Sequence, residues 1–393
     1  MTSTPPTSTP PTTTGRDATG SDATAPSPGP AAPRRSPIQI STAVPGRHAF
    51  RLGRFSVVWR GRMVLVCALI AAATFLLTCV SLGRGDYPLS VPQVVEVLFG
   101  GGARLDRFIV FDLRLPRAVG ALVVGAALAV AGAITQSLSR NALASPDILG
   151  ITAGAGAAAV ALIVLTGGGS LVGVLATLGL PLAALAGALL TASVIYVLAW
   201  RNGVEGFRLV LIGIGINAML LALTNWMLVS ADINDVSRAQ VWLTGSLNGI
   251  SWNQVLPAAL VLLVLGAWAT VASFTVGALR LGDDTARSLG VRLQTQQALL
   301  LIIACTLAAV ATAAAGPVGF VALAAPQIAV RLVKSAGPPI VASALTGALL
   351  VVGADLIART ILPVPLPVGL VTSALGGPFL LYLLVRSNRK VSA

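Results

Sequence analysis

Long apolar stretches recur along this chain from Met63 to Val385, and short segments that carry most of the charge separate them. Each stretch is near the length of about twenty residues at which a helix crosses the hydrocarbon core of a bilayer. Because no water bonds the backbone there, such stretches fold as helices. Charged residues make up only 10% of the chain, whereas roughly 25% is usual in soluble domains. The pattern predicts an all-α polytopic membrane protein.

The apolar stretches divide into ten predicted spans, each ending where charged residues, glycine or proline interrupt the pattern. They are 63–82, 117–138, 148–166, 171–199, 207–230, 254–277, 298–315, 317–334, 339–358 and 367–385. A short interfacial helix is expected over 92–99, within the loop that precedes the second span. An even number of spans places both termini on the same side of the membrane.

Basic residues predict which side that is. Residues 1–46 are rich in Thr, Pro, Ser and Ala without apolar periodicity, so a disordered cytoplasmic tail is expected. Residues 47–62 form a basic juxtamembrane segment with five arginines, and a ten-helix membrane domain is predicted over 63–388. With a cytoplasmic amino terminus, 19 of the 26 Lys and Arg residues lie inside and 7 outside. The positive-inside rule therefore predicts two cytoplasmic termini.

Several function classes are disfavoured by composition. The net charge of +13 is distributed between apolar stretches, which is typical of orientation signals and not of a nucleic-acid surface. The two lysines, Lys334 and Lys390, do not follow glycine, so a phosphate-binding Gly-Lys-Ser/Thr loop is excluded. The single histidine is His48, and the three cysteines lie in apolar stretches. An ordinary transition-metal site is therefore not expected.

The source of energy is constrained by the span centres, which contain no Asp, Glu, Lys or Arg. Ion-coupled transporters usually place ionisable groups or broken helices near the middle of the bilayer. Asp355 comes nearest, and its position four residues before Arg359 predicts an ion pair at the membrane rim. A partner that hydrolyses ATP is favoured, with an ion-coupled secondary transporter and a membrane enzyme as the alternatives.

The second span carries the strongest packing signal. Small residues recur at every fourth position, which predicts the close approach of another helix; they are Ala121, Gly125, Ala129 and Ala133. Before them, Arg114 and Arg117 flank Leu-Pro, which suits the start of a helix. Positive charge is disfavoured at that helix end. The mismatch predicts an acidic partner for these arginines, with membrane lipid phosphate as the alternative.

The segment 280–297 is the longest charged stretch on the predicted cytoplasmic side after the first span. Asp283 and Asp284 suit the start of a helix and Gly290 its end. Ala286, Leu289 and Leu293 would share one face of a regular helix. The segment predicts an amphipathic helix under the membrane, suited to docking a partner.

Six stretches in order resemble one family. They are RLPR at 114–117, GAALAVAGAITQ at 125–136, RNALASPDILG at 140–150, LGDDTARSLG at 281–290, GPVGFVALAAPQI at 316–328 and PVGLVTSALGGPFLLYLL at 367–384. Over about residues 55–388 the chain resembles FecCD-type permeases, the membrane subunits of ABC importers for iron–siderophore complexes, haem and cobalamin.

This resemblance implies a ten-helix subunit of the type II ABC-importer permease fold in the bacterial cytoplasmic membrane. The implied partners are a second permease subunit (the same chain or a different one), two ATP-binding subunits and an extracytoplasmic siderophore-binding protein. ATP and Mg would be bound by the partner ATPase, and this chain would hold no cofactor. The stretches 145–150 and 241–252 look most like those of permeases for ferric enterobactin-type siderophores, with cobalamin or haem as the alternative cargo.

The resemblance also implies roles for single residues. Binding-protein docking falls on Arg114, Arg117 and Arg359. ATPase coupling falls on Gly282, Asp283, Asp284, Ala286, Leu289 and Gly290. The inner gate falls on Asn141, Leu143, Glu205, Gly206 and Phe207, and the polar Gln136 and Asn217 inside their spans are added as path residues. The chain departs from the family pattern at Ala142, where proline is usual, and at Gln327, where histidine is usual.

Overall fold

The fold is described from a computed structural model. The structure describes residues 49–52, 55–58, 61–85, 87–147, 150–166, 174–200, 206–361 and 366–388. The predicted tail, 1–46, lies outside the described residues. The chain divides into two compact units, one ending at Trp59 and the other beginning at Arg60.

The first unit contains a small antiparallel hairpin within the segment predicted as basic and juxtamembrane. Strand β1 covers Ala49–Leu52 and strand β2 covers Phe55–Val58, with Ala49 opposite Val58. The two strands carry Phe50, Val57 and Val58, residue types that favour extended backbone. This hairpin precedes the membrane domain and leaves the predicted helical fold of that domain unchanged.

The second unit is helical wherever it has described secondary structure, which confirms the predicted fold class. Its helices are α1 Gly61–Gly83, α2 Val91–Leu98, α3 Arg104–Phe108, a π-helical turn Ile109–Arg114, α4 Leu115–Leu138, α5 Ile151–Thr166, α6 Val174–Ala199, α7 Gly206–Val229, α8 Ile233–Leu243, α9 Trp252–Val271, α10 Ser273–Arg280, α11 Asp283–Ser288, α12 Leu293–Ala315, α13 Val321–Val333, α14 Ile340–Thr360 and α15 Val368–Asn388.

Each of the ten predicted spans has a corresponding helix. Within the described residues, seven helices are long and apolar enough to cross a membrane. The remaining three spans match the shorter apolar helices Ile151–Thr166, Val321–Val333 and Val368–Leu383. The predicted sixth span, 254–277, is interrupted, because α9 ends at Val271 and the separate helix α10 follows. The short helix expected over 92–99 is confirmed as α2, and its interfacial position stays a prediction.

Helix α4 lies at the centre of the domain and contacts α9, α10, α12, α13 and α14. Its small residues allow the close approach that their spacing predicts. A Cβ atom added to Gly125 would lie 2.3 Å from the carbonyl oxygen of Gly347 in α14. One added to Gly132 would lie 1.7 Å from the carbonyl oxygen of Ala322 in α13. Side chains at these two positions would therefore separate α4 from both neighbours.

The start of α4 differs from the prediction. The helix continues from α3 through the π-helical turn, and the Leu115 N–H donates to the carbonyl of Val110. Pro116 lies in the first turn of α4 as expected. Arg114 and Arg117 nevertheless do not sit at a free helix end, so the helix-dipole argument for an acidic partner is wrong. The structure instead supplies Asp355 as an acidic partner for Arg117.

Candidate functional site

A buried carboxylate pairs with two of the three arginines that the sequence singles out. Asp355, near the end of α14, is 1% exposed. Arg117 of α4 donates to its Oδ1 from Nε at 3.0 Å and from Nη2 at 2.9 Å. Arg359, one turn further along α14, reaches Oδ2 from Nε at 3.2 Å. Arg114, Arg117, Arg359 and Asp355 are together called the arginine cluster.

The arginine cluster also ties α4 and α14 to the end of α1. Arg359 Nη2 donates to the hydroxyl of Ser81 at 2.6 Å. Arg114 Nη1 donates to the carbonyl of Leu82 at 2.7 Å, and Nη2 donates to the carbonyl of Tyr87. The guanidinium groups are thus held in fixed orientations by three parts of the chain.

The charges of Arg117, Arg359 and Asp355 do not cancel. Arg117 and Arg359 share the single carboxylate of Asp355, so these three side chains carry a net charge of +1. The arginine side chains remain 19% and 13% exposed, whereas that of Asp355 is 2% exposed. Guanidinium groups bind carboxylates through paired hydrogen bonds. The arrangement can therefore accept an acidic group from outside the bundle.

A cavity of about 610 Å³ lies at the same end of the bundle. Its lining includes Trp242, Asn248 and Gln254, and the Oδ1 of Asn248 lies 3.4 Å from Nη1 of Arg117. The cavity is lined by the ends of α5 and α12, the start of α9 and part of α8. A polar, partly aromatic hollow thus adjoins the arginine cluster.

The segment predicted to dock an ATPase forms an exposed turn and short helix at the other end of α4. Gly282 and Gly290 adopt φ values of +108° and +80°, which favour glycine, and they bracket α11. Ala286 is fully buried and Leu293 is buried, but Leu289 is 50% exposed. The prediction that these three share one face is wrong, because α11 ends at Ser288 and its periodicity stops there.

The stretch 282–290 is called the coupling surface; it combines charge with the exposed apolar side chain of Leu289. Asp284 is fully exposed and pairs with Arg287 at 3.4 Å, one turn away on α11. The Asp283 side chain lies outside the described part of the structure. The shape of the coupling surface, a short helix between two glycine turns with Leu289 beside it, suits insertion into a groove of another protein.

Hydrogen bonds join α10, the helix that precedes the coupling surface, to two loops. Arg140, just beyond α4, donates from Nε to the carbonyl of Leu279 in α10 at 3.0 Å. Arg280, at the end of α10, donates from Nη1 to the carbonyl of Ala336 at 2.6 Å. A displacement of α10 would therefore be transmitted through these bonds to the loop after α4 and to the loop between α13 and α14.

The loop after α4 holds two of the predicted gate residues. Asn141 is exposed, and its Oδ1 accepts a hydrogen bond from the Leu143 N–H at 2.9 Å. Such a side-chain turn constrains the backbone locally, at the place where Ala142 replaces the usual proline.

Further along the chain, burial raises the pKa of Asp147, and the Thr152 hydroxyl that donates to it at 2.5 Å opposes that shift.

Gln136 lies inside the subunit. It is buried between α4 and α13, where Nε2 donates to the carbonyl of Leu323 at 3.1 Å. Its Oε1 accepts from Nε2 of Gln327 at 2.7 Å. The residue that replaces the usual histidine is thus the partner of Gln136. These bonds join two helices, and a role for Gln136 in the transport path stays a prediction.

The remaining predicted path residues belong to α7 and its start. Asn217 is half-buried, and a Cβ atom added to Gly150 would lie 3.5 Å from its backbone nitrogen. Gly206 begins α7, and Phe207 is exposed. Glu205 lies outside the described residues. In the described part of the chain, no group of three His, Cys, Asp or Glu side chains could hold a metal ion.

Comparison with known proteins decides the family. Residues 72–386 match the FecCD transport family. The chain belongs to the FecCD transport family. The ferric enterobactin transport system permease protein FepG of Escherichia coli K12 is 39% identical over 330 residues, which cover 84% of this chain and 98% of FepG. The achromobactin transport system permease protein CbrC of Dickeya dadantii is 43% identical, covering 86% of this chain and 96% of CbrC.

A solved structure agrees with this assignment. One described as a metal-chelate type ABC transporter in an inward-facing conformation has a TM-score of 0.73 and 25% identity, covering 82% of this chain and 99% of that chain. Other relatives are named as iron(3+)-hydroxamate, Fe(3+)-citrate and cobalamin import permeases. This FecCD protein is therefore a multi-pass membrane permease of the ABC-importer class.

The sequence predicts part of the arginine cluster. The ion pair between Asp355 and Arg359 is predicted by their four-residue spacing and is confirmed. The bonds from Arg117 to the same carboxylate were not predicted, because 238 residues separate the partners. The only available signal was chemical, since a buried carboxylate at a rim rich in arginine calls for more than one partner.

Proposed function

We propose that this FecCD permease is the membrane subunit of an ATP-driven importer of ferric siderophores, with catecholate siderophores of the enterobactin type as the favoured cargo. A second permease subunit would complete the path, two ATP-binding subunits would supply the energy, and an extracytoplasmic binding protein would deliver the cargo. ATP and Mg would be bound by the ATPases.

The observation that carries the proposal is the placing of two different surfaces at the two ends of α4. The arginine cluster lies at its start, and Arg140 just beyond its end bonds α10, which leads into the coupling surface. A helix of 24 residues is about 36 Å long, which exceeds the roughly 30 Å of a bilayer core. One end would receive an acidic partner outside the cell, and the other would receive the ATPase inside.

The membrane orientation follows from the basic residues. The coupling surface and both termini would face the cytoplasm, and the arginine cluster would face outward. The inner gate would involve Asn141 and Leu143, with Glu205, Gly206 and Phe207 at the start of α7, and Gln136 and Asn217 would be polar residues along the path.

The cargo is favoured by the motifs at 145–150 and 241–252 and by similarity to FepG along nearly its whole length. Relatives named for hydroxamate and cobalamin make those cargoes the competing outcomes. The test is uptake in cells that lack their own siderophore and cobalamin permeases and express this importer with its partners. Uptake of radiolabelled ferric enterobactin that exceeds uptake of a ferric hydroxamate and of cobalamin supports the proposal. Preference for either competitor contradicts the assignment of cargo.

A further inference from the structure

We propose that Asp355 is a positioning residue that holds Arg117 and Arg359 ready for a carboxylate of the binding protein. The inference rests on the proposed docking function and deepens it. Arginines that dock a partner would ordinarily be expected to project freely into solvent. Here Arg117 and Arg359 are both held by the buried side chain of Asp355.

The geometry shows how Asp355 orients the arginines. Arg117 places two of its three guanidinium nitrogens, Nε and Nη2, on Oδ1. Its third nitrogen, Nη1, is 3.4 Å from Asn248 Oδ1, beside the cavity. Arg359 uses Nε on Oδ2, directs Nη2 to Ser81 and donates from Nη1 to the carbonyl of Arg84 at 3.3 Å. Each guanidinium plane is therefore set before any partner arrives. Each guanidinium also has five N–H donors, so the terminal nitrogens can still donate to an incoming carboxylate.

Charge explains why this arrangement still attracts an anion. One carboxylate between two guanidinium groups leaves a surplus of one positive charge in a site that is mostly withdrawn from water. Charges in such a site are screened less than exposed ones. An incoming carboxylate would neutralise the surplus without separating the existing ion pairs. Preorganised arginines would also lose less side-chain freedom on binding, which lowers the cost of association.

Two rival accounts of Asp355 make different predictions. If Asp355 only diluted the positive charge, then Asp355→Asn would raise the attraction for an acidic partner and tighten docking. If Asp355 only stabilised the fold, the variant would reduce the amount of folded protein, and the folded fraction would dock normally. The positioning role predicts faster dissociation of the docked partner even though the rim has become more positive.

The experiment measures association and dissociation rates of the cognate binding protein, loaded with ferric siderophore, on the complete importer in lipid nanodiscs. Only folded, monodisperse complex is used. Asp355→Asn is expected to raise the dissociation rate at least about tenfold while the association rate stays equal or rises. Slower dissociation overturns the proposal in favour of charge dilution, and unchanged rates overturn it in favour of a purely structural role.

Asp355→Glu is the second variant and covers the case in which the asparagine variant does not fold. It keeps the charge but moves the carboxylate by one methylene group, so faster dissociation is again expected, whereas charge dilution predicts no change. In an Arg117→Gln background, Asp355→Asn should add less to the dissociation rate, because only Arg359 is then left for Asp355 to position. A fully additive effect would contradict this.

A matched control and a reference variant separate the two proposals. Asp235→Asn alters another buried carboxylate, in α8, that forms no ion pair among the described residues, and its rates should equal those of the wild type. Arg117→Glu tests docking itself. If Arg117→Glu leaves docking intact, the assignment of the arginines as a docking site is wrong. If it weakens docking and both Asp355 variants match the wild type, only the role of Asp355 is wrong.

Discussion

Replacing Leu289 with glutamate should uncouple ATP hydrolysis from transport without unfolding the subunit. Leu289 is 50% exposed at the coupling surface and lies just past the end of α11. The fold therefore tolerates a polar side chain at this position. Its exposed half is available to a partner, and it lies next to the glycine turn at Gly290.

The size of the effect follows from what the partner would bury. Full burial of a leucine side chain is worth about 1.5–3 kcal/mol, so the exposed half contributes about 1 kcal/mol to docking. Burying an unpaired carboxylate in its place costs at least about 3 kcal/mol more. The sum, about 4 kcal/mol, corresponds to roughly a thousandfold weaker ATPase binding.

The assay compares ATPase binding to the detergent-solubilised permease, and ATP-driven uptake in proteoliposomes, for wild type and variants. Leu98→Glu is the matched control, because Leu98 is 43% exposed in α2, which packs at the arginine-cluster end. It should bind the ATPase normally. Ala286→Glu should instead fail to fold, since Ala286 is fully buried. Normal ATPase binding and uptake by folded Leu289→Glu would refute the assignment of the coupling surface.

Three further predictions concern orientation and packing. A cysteine at Ser237 should react with an impermeant thiol reagent in intact cells and one at Thr285 should be protected; the reverse pattern would invert the proposed topology. Gln136→Leu removes one hydrogen bond to the Leu323 carbonyl and takes the partner from the half-buried Gln327 amide, which should cost about 1–3 kcal/mol and lower the melting temperature; an unchanged melting temperature would contradict this. Gly347→Val should abolish folded protein in fluorescence-detected size exclusion, because an added Cβ lies 2.2 Å from a carbonyl oxygen of α4. Gly215→Ala, which meets nothing within 4 Å, is its control, and equal yields would contradict the close packing.

Local periodicity predicted those features that depend on neighbours in sequence. The four-residue spacing of small residues around Gly125 predicts the α4 interface, because residues four apart share a helix face. The same spacing predicts the ion pair between Asp355 and Arg359. Glycine and aspartate positions predict the bounds of α11. In each case the physical cause lies within one or two helical turns.

Features that depend on distant parts of the chain were missed. No local pattern links Arg117 to Asp355, or Gln136 to Gln327, since these contacts exist only after the helices pack. The segment Arg104–Phe108 mixes charged and apolar residues, so its sequence predicts a loop. The predicted second span therefore starts at residue 117, after the point where helical structure begins. The face shared by Ala286 and Leu289 was predicted by extending helical periodicity past the point where α11 ends.

With its partners, this chain is proposed to move ferric siderophore across a membrane at the expense of ATP. Uptake of radiolabelled ferric enterobactin into proteoliposomes that contain the permease, the ATPase and the loaded binding protein tests this proposal. Accumulation is expected to require ATP and the binding protein and to persist when ionophores remove all ion gradients. Accumulation driven by an ion gradient without ATP, or its absence with every partner present and ATP being hydrolysed, would contradict it.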